Sequence, residues 1–532
     1  MTHPSPDRMR LALFALVGLL AAPSALAQDG VCTGGAATLD GVTYACNRVD
    51  ILGHVGPLGS DGPFRSGALN DIWGWTDPDN GDEYALVGTR SGVVFVDVSV
   101  PEAPRVLGKM LTTRFDDNNF STWRDVKVYQ DHAFVVADAM QLPHGMQVLD
   151  LKTLRGLSED SERDIEPTAV YMPVFDAHNI VINEDTGFAY AVGGRITPGS
   201  PGIPDSCNPA GFHAIDISDP LNPTFAGCFS DLAQESGPRT PGYTHDAQCV
   251  TYSGPDTDHA GDEICIGANE DVVTVFNVED KDNVVILSQT AYPGFSYTHQ
   301  GWLTEDQRYF LVNDELDENN SGVSQRTLVL DMTDLDSPEF DFAYDSGLSV
   351  IDHNLYIHGD YAYESNYEAG LRILDVSEVA SGTITEAAFF DTYPQSNQVS
   401  FSGTWSNYPY FESGNVIVSD INNGLFVLRP DDALFVDSAD APTPADNALS
   451  APRPNPTSGT AELTLTVETA QAVRAEVYDV SGRRVATLFD GTAAPGAEIV
   501  LTVEGAGLPA GVYVVRATGE TFDATQRLTL TR

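Results

Sequence analysis

The sequence has very little positive charge. It holds 27 lysine and arginine residues against 77 aspartate and glutamate residues, which gives a formal net charge of −50. Only four of the basic residues are lysine. A surface of this charge repels nucleic acid and anionic membranes, so neither is expected as a partner. The acidic excess indicates either adaptation to a saline habitat, where salt screens the repulsion, or an ordinary acidic exported protein.

The chain also lacks the short motifs of several common catalytic sites. HExxH, GxSxG, GxxxxGK[ST] and paired CxxC sequences are all absent. The zinc-protease, serine-hydrolase, nucleotide-binding and zinc-ribbon interpretations therefore have no support. Helical periodicity is almost absent as well, which favours an all-β fold.

Long apolar runs are confined to the N-terminus. Arg8 and Arg10 precede the run LALFALVGLLAAPSALA, and the small residues at Ala25 and Ala27 predict cleavage before Gln28. The run is short and broken by proline, which favours a signal peptide over residues 1–27 rather than a membrane anchor. We therefore predict an exported protein with no transmembrane segment in the mature chain.

Cysteine is scarce, and the six cysteines fall into near neighbours along the chain. None has zinc-finger spacing, so disulfides are favoured, as in other exported proteins. Pairing by proximity is one of many possible connectivities. It predicts the bonds Cys32 with Cys46, Cys207 with Cys228, and Cys249 with Cys265.

The chain does contain a repeated phrase, made of a turn, a β-rich apolar run, an acidic or polar residue, and often a proline-bearing turn. It occurs as GVVFVDVSVPEAP, GMQVLDLKTL, GFHAIDISDPLNP, VVTVFNVEDKDN, RTLVLDMTDLDSP, GLRILDVSEVA and GLFVLRPDD. The anchor residues of the seven units are Asp97, Asp150, Asp216, Asn277, Asp331, Asp375 and Arg429. Each unit is long enough for four short strands, so we predict a seven-bladed β-propeller over residues 47–430.

The first unit divides cleanly into four strands, DIWGWTD, EYALVGT, VVFVDVS and RVLGKM, separated by turn residues. The seventh unit stops soon after GLFVLRP and lacks an outer strand. The run VDILGHVG near the N-terminus can supply that strand and close the ring, which would leave no free sheet edge.

The remaining parts of the chain differ from the repeats in composition. Residues 28–46 form a disulfide-bearing N-terminal segment, and residues 431–448 are an acidic, proline-bearing linker. Residues 449–532 contain alternating strands such as AELTLTV, VRAEVYDV and GVYVVRAT, which predict a small β-sandwich. The predicted fold is therefore all-β, a seven-bladed β-propeller followed by a small β-sandwich domain.

Four histidines occupy the same place in successive units, in the phrases DAHNI, YTHDAQ, YTHQG and IDHNL. They are His178, His245, His299 and His353. Aligning the heads of the units places them in one register with Asn70, Arg124 and Trp405, at the start of each inner strand. We therefore expect four neighbouring blades to direct imidazole toward one axis.

Imidazole is the commonest metal ligand in proteins, so this register predicts a site for a divalent transition metal such as zinc, copper or iron. Carboxylates from nearby loops can complete such a site or act as a base. The acids of these loops are Glu270, Asp271, Asp314, Glu315, Glu364, Glu368 and Asp420, and the leading candidates are Glu270, Asp314 and Glu364. Tyr243, Tyr297 and Trp302 are candidates for stacking contacts. Two other interpretations stay open: the histidines hydrogen-bond the backbone of the next blade, or the repeats are misaligned.

The repeat region resembles the choice-of-anchor B family of exported bacterial proteins with LVIVD repeats. The phrases that carry the resemblance include NDIWGWTD, DAHNIVIN, YTHDAQCV, YTHQGWLTEDQRYFL, IDHNLY, AGLRILDVS and GLFVLRP. The tail resembles a type IX secretion sorting domain in PRPNPTSG, VYDVSGRRV and LPAGVYVVR. The two resemblances imply an extracellular or outer-surface location and the outer-membrane type IX secretion machinery as a partner.

Two functions from different classes remain open. The first is an exported propeller that acts as a binding module for an unknown surface ligand or protein. The alternative is a metal-dependent enzyme, an oxidoreductase or a hydrolase, with the histidines around the axis. Propellers host both, so the fold does not decide whether the protein is an enzyme.

Overall fold

The structure is a computed structural model. The predicted signal peptide, residues 1–27, lies outside the residues that the structure describes. Nearly all of the predicted linker also lies outside them. Two compact units are present, Met1–Asp431 and Asp432–Arg532. In the described part of the chain, no helix has the length and apolar character needed to span a bilayer. The described residues are 30–56, 68–113, 120–204, 206–207, 210–232, 241–431, 434, 448–450, 452, 457, 459–467, 471–479, 483–493, 499–509, 511–519 and 523–530.

The first unit begins with three strands that later join sheets formed by distant residues. They are β1 (Ala36–Leu39), β2 (Val42–Asn47) and β3 (Val49–Val55). The first complete sheet follows, with β4 (Leu69–Thr76), β5 (Glu83–Thr89), β6 (Gly92–Asp97) and β7 (Arg105–Leu111) in that order. These four strands are the ones that the sequence predicts for the first unit.

The next two sheets are also antiparallel. One contains β8 (Arg124–Tyr129), β9 (His132–Ala137), β10 (Met146–Asp150) and, after the 3-10 turn Leu151–Leu154, β11 (Ala169–Tyr171). The following strands are β12 (Val174–Asp176), β13 (Asn179–Asn183), β14 (Phe188–Val192), β15 (Arg195–Ile196), β16 (Phe212–Asp216) and β17 (Thr224–Phe229). Of these, β12 and β15 form a two-stranded ribbon, and the other four form the third sheet.

Two further sheets each consist of four consecutive strands. The fourth contains β18 (Asp246–Thr251), β19 (Glu263–Ala268), β20 (Val273–Asn277) and β21 (Val285–Thr290). The fifth contains β22 (Thr298–Leu303), β23 (Tyr309–Asp314), β24 (Arg326–Asp331) and β25 (Glu339–Asp345). A short helix, α1 (Asp317–Ser321), lies between the second and third strands of the fifth sheet.

The last two sheets recruit the N-terminal strands. The sixth contains β26 (Asn354–His358), β27 (Tyr361–Ser365), β28 (Leu371–Asp375) and, after the 3-10 turn Val379–Ser381, β29 (Thr385–Phe390), which pairs with β2 of the β1–β2 hairpin. The seventh contains β30 (Thr404–Tyr408), β31 (Val416–Asp420) and β32 (Gly424–Pro430). Its outer strand is β3, antiparallel to β32, as the sequence predicts.

The first strands of the seven sheets contact one another in cyclic order. Each of β4, β8, β13, β18, β22 and β26 packs against the first strand of the next sheet, and β30 packs back against β4. The described residues of the first unit thus form many small antiparallel sheets whose leading strands meet around a closed circuit. This arrangement brings together residues from the head of each repeat.

The middle strands are buried on both faces because neighbouring sheets cover each side. Leu86 and Phe95 belong to the core shared with the second sheet, whereas Val87 and Val94 belong to the core shared with the seventh sheet. Burial of each such side chain stabilises the fold by about 1.5–3 kcal/mol. This explains why the runs YALVG and VVFV are continuously apolar instead of alternating.

The acidic residue of the repeated phrase has a structural role. Its side-chain oxygen accepts a hydrogen bond from the backbone N–H two residues further on, which closes an Asx turn after the third strand. Among the described units, the acceptors of this kind are Asp97, Asp150, Asp216, Asn277, Asp331 and Asp375. The repeat of this acid therefore reflects turn geometry and not a binding site.

The second unit consists of two antiparallel sheets around one core. Its strands are β33 (Ala448–Leu449), β34 (Thr460–Thr466), β35 (Gln471–Asp479), β36 (Arg484–Ala493), β37 (Ile499–Glu504), β38 (Gly511–Thr518) and β39 (Asp523–Leu530), with a 3-10 turn at Gly505–Gly507. One sheet has the order β33-β34-β37 and the other β36-β35-β38-β39. Leu463 and Leu501 of the first sheet share a core with Val477 and Val515 of the second. This agrees with the predicted sandwich.

All three predicted disulfides are present: Cys32–Cys46, Cys207–Cys228 and Cys249–Cys265. The third joins directly paired residues of β18 and β19. Such bonds restrict the unfolded chain and suit an exported protein.

Candidate functional site

The four predicted histidines lie side by side at the heads of the third to sixth sheets. The ring centroids of His178 and His245 are 4.3 Å apart, those of His245 and His299 are 4.2 Å apart, and those of His299 and His353 are 4.4 Å apart. The ring of Trp405 follows at 4.7 Å from His353. We call His178, His245, His299 and His353 the histidine row.

Hydrogen bonds join the row from sheet to sheet. Nδ1 of His245 lies 2.9 Å from the carbonyl oxygen of His299, and Nδ1 of His299 lies 3.0 Å from that of His353. Nδ1 of His353 lies 2.6 Å from the carbonyl oxygen of Trp405. Because a carbonyl only accepts, each Nδ1 carries the proton and donates it. The hydrogen bonds to the next sheet that the sequence suggested are therefore present.

The local backbone makes these carbonyl groups available. The strand register is irregular between Thr298 and Gln300 and between Thr404 and Ser406, so His299 and Trp405 stand at bulges. A bulged residue is left out of the regular ladder, which frees its carbonyl for another donor. Gly193 lets its backbone lie close to His178. It has a φ of +63°, and a Cβ at this position would lie 2.9 Å from Cβ of His178.

The position of the Nδ1 proton decides the chemistry of the other ring nitrogen. With Nδ1 protonated in a neutral ring, Nε2 of each imidazole carries a lone pair. Burial lowers the pKa of His353 to about 4. Burial, followed by the neighbouring rings, lowers the pKa of His245 and His299 well below the ordinary value. These three rings are therefore neutral at neutral pH and able to act as ligands or acceptors.

Glu315 is the carboxylate that faces this row. Its Oε2 lies 3.8 Å from Nε2 of His299, and its Oε1 lies 3.8 Å from Nε2 of His353. Ligand atoms of these three residues all lie within 4.8 Å of one another. Burial raises the pKa of Glu315 to about 7, although the hydrogen bond that the Tyr367 hydroxyl donates at 2.6 Å favours its charged form.

A shared cation or proton would satisfy this geometry. Two lone-pair nitrogens and a carboxylate have no donor among themselves, and 3.8 Å is too long for a hydrogen bond. Zinc bonds to imidazole nitrogen and carboxylate oxygen measure about 2.0–2.2 Å, so two atoms on one ion can lie up to about 4.2 Å apart. His299, Glu315 and His353 can therefore hold one such ion.

Two of the carboxylates predicted from sequence are taken up by other hydrogen bonds, and the third, Glu270, lies beside Tyr297, which lines the row. Asp314 accepts hydrogen bonds from the Tyr292 hydroxyl and from the backbone of Ser296 and Tyr297. Glu364 is fully buried and accepts hydrogen bonds from Gln325, Thr327 and Asn366. Glu270 forms a backbone bridge with Thr298. The carboxylate at the row is the residue after Asp314, because the strand β23 ends at Asp314 and the chain turns toward the row there.

The other end of the row has its own carboxylate. Oδ2 of Asp138 lies 2.9 Å from Nδ1 of His178. Burial would raise the pKa of Asp138, but the hydrogen bond from His178 lowers it overall. The His178 ring is thus hydrogen-bonded to the second sheet, whereas each of the other three rings is hydrogen-bonded to the backbone of the sheet that follows it. Asp138 was not among the sequence candidates, because no repeat of the pattern marks it.

The predicted aromatic contacts are partly at the row. The ring of Tyr297 lies 5.3 Å and that of Tyr243 lies 6.5 Å from the ring of His245. Trp302 lies instead beside Tyr356, with ring centroids 5.1 Å apart, further along the inner strands. Two of the three candidates therefore line the row, and the third lines a separate cavity.

A second group of ionisable residues lies further along the inner strands, and sequence reasoning missed it. Nζ of Lys127 lies 2.5 Å from Asp125 and 3.4 Å from Asp71. It also lies 4.6 Å from the centroid of the Trp73 ring. Burial alone would lower the pKa of Lys127, but the two carboxylates raise this pKa well above the ordinary value. We call Asp71, Asp125 and Lys127 the lysine cluster.

A cavity of about 450 Å³ opens beside the lysine cluster. Its lining includes the rings of Trp73, Trp302, Tyr356, Tyr408 and Tyr410, together with Lys127 and Asp246. Burial raises the pKa of Asp246 to about 7. A cavity of this size with an aromatic wall and a few polar groups is typical of small-molecule sites.

Two family models match parts of the chain. The secretion system C-terminal sorting domain matches residues 453–531, and the LVIVD repeat matches residues 353–387. The second range begins at His353 and contains strands β26 to β28. The protein is therefore exported, as predicted, and the sorting domain indicates interaction with the type IX secretion machinery. A search of curated proteins finds no match to the chain.

Similarity to solved structures is distant. The extracellular domain of BT4673 from B. thetaiotaomicron is 10% identical over 92% of this chain, with a TM-score of 0.42, and the chain spans 59% of that domain's length. The periplasmic gluconolactonase PpgL of Pseudomonas aeruginosa is 12% identical over 82% of this chain and 99% of its own, with a TM-score of 0.42. At these scores, neither activity carries over to this protein.

Proposed function

We propose that the first unit is a seven-bladed β-propeller and that it binds a divalent transition metal through His299, Glu315 and His353. The protein would then act as a metal-binding module outside the cell. The blade count is supported by the seven sheets of at least four strands in the described part of the first unit, the cyclic contacts of their first strands and the pairing of β3 with β32. The region 47–430 would be a choice-of-anchor B propeller, between a signal peptide at 1–27 and a linker at 431–448.

One observation carries the metal proposal. The Nδ1–H groups of His299 and His353 are held by backbone carbonyls. Nε2 of His299 lies 3.8 Å from Oε2 of Glu315, and Nε2 of His353 lies 3.8 Å from Oε1 of the same carboxylate. A histidine ligand usually donates its other ring N–H to a carbonyl or a carboxylate, which fixes the ring and its tautomer. The same hydrogen bonds that join the sheets thus prepare the rings for a metal.

The nature of the donors indicates the class of ion. Two neutral imidazoles and one carboxylate suit zinc, copper or iron better than calcium or magnesium, which prefer oxygen ligands alone. The carboxylate also supplies negative charge, and no ion pair between Glu315 and a lysine or arginine is present among the described residues. We choose zinc as the probe because it has no redox chemistry and accepts varied geometry.

The test is calorimetric titration of zinc into the full exported chain, purified without an affinity tag and stripped with a chelator. We expect one ion per chain, and Glu315→Gln should weaken binding by at least about 100-fold. Glutamine still accepts the Tyr367 hydroxyl hydrogen bond, so folding should be retained. His213→Ala is the matched control, because His213 is a buried histidine that contacts Tyr171 away from the row.

The outcomes separate metal binding from a purely structural row. His299→Asn keeps a donor for the carbonyl of His353 but removes Nε2, so it should lose zinc and keep most of the stability. Equal zinc affinity in the wild type, Glu315→Gln and His299→Asn would overturn the proposal. So would a wild-type protein that takes up no zinc, copper or iron.

A metal-dependent hydrolase is the second candidate, and the number of ligands favours it. The three residues match the count of protein ligands in catalytic zinc sites, which leave a fourth position to water. Zinc-loaded protein would then release p-nitrophenol from p-nitrophenyl acetate faster than Glu315→Gln does. Equal rates in the two proteins would exclude this hydrolase. The protein would then be a binding module, and the 450 Å³ cavity would be the candidate site for a small ligand.

A further inference from the structure

The inner strands carry a second common register, three residues after the aligned heads of the seven units. These positions hold Trp73, Lys127, Val181, Gln248, Trp302, Tyr356 and Tyr408. All seven of these residues line the cavity of about 450 Å³, which Tyr410 also lines. The cavity is therefore built from one position in each of the seven units.

Five aromatic rings line this cavity, and neighbouring rings meet at steep angles. The rings of Trp302 and Tyr356 have centroids 5.1 Å apart and planes inclined at 75°. The planes of Trp73 and Tyr356 are inclined at 78°, and those of Tyr408 and Tyr410 at 77°. Rings at nearly right angles form adjacent walls of an enclosure, so aromatic surface bounds the cavity in more than one direction.

The backbone holds two of these rings in place. A Cβ on Gly74 would lie 2.2 Å from Cε1 of the Tyr408 ring, so glycine at this position lets the ring lie against strand β4. The Tyr410 hydroxyl donates a hydrogen bond to the carbonyl oxygen of Ile357 at 3.1 Å. The aromatic wall is thus arranged before a ligand enters, which reduces the cost of binding.

The lining of the cavity is acidic. Among the described residues that line it, Lys127 is the only basic residue, and it is ion-paired with Asp71 and Asp125. The acids of the lining are Glu184, Asp185, Asp246 and Glu305. Because the one cation is compensated by its own partners, the cavity favours a positively charged ligand.

One ammonium group already lies against the aromatic wall. Nζ of Lys127 is 4.6 Å from the centroid of the Trp73 ring. This distance is within the range of about 6 Å over which the face of an aromatic ring attracts a cation. The chain itself therefore places a cation on one ring of this wall, and the other rings offer the same interaction to a ligand.

We infer that the cavity binds an organic cation that carries a quaternary ammonium group. Such a group donates no hydrogen bond, so aromatic rings and nearby carboxylates satisfy it, whereas a primary ammonium group brings donors that each need an acceptor. The volume of the cavity is in the range of small-molecule sites. The inference does not depend on the metal proposed for the histidine row.

The test is calorimetric titration of choline into the full exported chain, with 3,3-dimethyl-1-butanol as the uncharged analogue. The two molecules have the same shape, because a tert-butyl group replaces the trimethylammonium group. We expect one choline per chain and binding of the alcohol that is weaker by at least about tenfold, since only the cation is attracted by the rings and the carboxylates. Trp302→Leu and Asp246→Asn should each weaken choline binding by about tenfold.

Trp123→Leu is the matched control for the loss of a tryptophan. Trp123 is 40% exposed, its ring lies 6.1 Å from that of His178, and it does not line the cavity. This variant should keep the choline affinity of the wild type. Asparagine at position 246 still accepts the backbone N–H of Ala247, so Asp246→Asn is expected to fold. Thermal unfolding checks that each variant is folded.

Three results would overturn the inference. One is a wild-type protein that does not bind choline at millimolar concentration. Another is equal affinity for choline and 3,3-dimethyl-1-butanol, which would indicate an apolar cavity without preference for charge. The third is equal choline affinity in the wild type, Trp302→Leu and Asp246→Asn, which would place choline on the acidic surface. Glu315→Gln separates this site from the metal site, because it should lose zinc and keep choline.

Discussion

The histidine row lies at the heads of β13, β18, β22 and β26, the lysine cluster lies on β4 and β8, and the two groups handle buried charge in different ways. In the lysine cluster, burial raises the pKa of Asp125 well above its ordinary value while Lys127 lowers that of Asp71, so the hydrogen-bonded pair shares a proton and Lys127 compensates the one remaining charge. In the row, the rings of His245, His299 and His353 are neutral, and Glu315 forms no ion pair with lysine or arginine among the described residues. The first group contains its own cation, whereas the carboxyl group of the second faces only imidazole nitrogens and the Tyr367 hydroxyl.

This comparison teaches that burial alone does not identify a binding site. Both groups are deeply buried, and both contain carboxylates with shifted pKa values. What separates them is whether every donor and acceptor already has a partner within the protein. Four substitutions test that difference through the free energy of unfolding.

The largest effect is expected for Lys127→Met. It leaves Asp71 and Asp125 buried without their cation, which should destabilise the fold by about 3–5 kcal/mol. Urea unfolding followed by fluorescence measures this. Lys152→Met is the control, because Lys152 forms an exposed ion pair with Asp131 and its loss should change stability little. Equal losses in the two variants would contradict the proposed role of Lys127.

An intermediate effect is expected for His299→Ala in the absence of metal. The carbonyl of His353 loses its donor, and the rings of His245 and His353 lose a neighbour. The cost of a buried acceptor without its partner is about 1–3 kcal/mol. His299→Asn should recover part of this loss in the same urea experiment. No recovery would argue that ring packing, and not the hydrogen bond, stabilises the row.

A smaller effect is expected for Tyr367→Phe. It removes the 2.6 Å hydrogen bond to Glu315 and keeps the ring that packs against His353. We expect a loss of stability of about 0.5–1.5 kcal/mol. Zinc affinity should fall by about tenfold, since a group that orients a ligand is lost. Calorimetric titration checks the second value, and unchanged affinity would mean that the Tyr367 hydrogen bond does not orient Glu315 for the metal.

The smallest effect is expected for Glu315→Gln in the presence of a chelator. The variant removes a buried charge that lacks a cation and keeps an acceptor for Tyr367, so stability should change by less than about 1 kcal/mol. Thermal and urea unfolding both measure this. A loss above about 2 kcal/mol would mean that Glu315 is a structural residue like Asp125, and the contrast between the two groups would fail.

Much of the fold could be predicted because its signals are local. The strands β4 to β7 follow from apolar runs between turn residues, and the three disulfides follow from neighbouring cysteines. The pairing of β3 with β32 follows from the missing outer strand of the seventh unit. Each of these depends on residues close in sequence or on counting equivalent units.

The site was predicted less completely, for a physical reason. The repeat placed His178, His245, His299 and His353 at one register, and their rings are neighbours. The sequence predicts both Asp314 and Glu315 as acids of one loop and favours Asp314 as the ligand, whereas in the structure Glu315 faces the row, because the last residue of a strand and the next one point in different directions. Asp138 and Lys127 were missed because they occur once and match no repeated phrase.

The sequence by itself determined the all-β architecture, the export of the chain, the cysteine pairs and the common register of the histidines. These follow from patterns that recur along the chain. Only the tertiary structure decided which nitrogen of each ring is free and which carboxylate faces it. Those properties depend on contacts between sheets. Successive residues of a strand point to opposite faces, so neighbouring residues such as Asp314 and Glu315 have different surroundings: one is hydrogen-bonded in the core and the other faces the histidines.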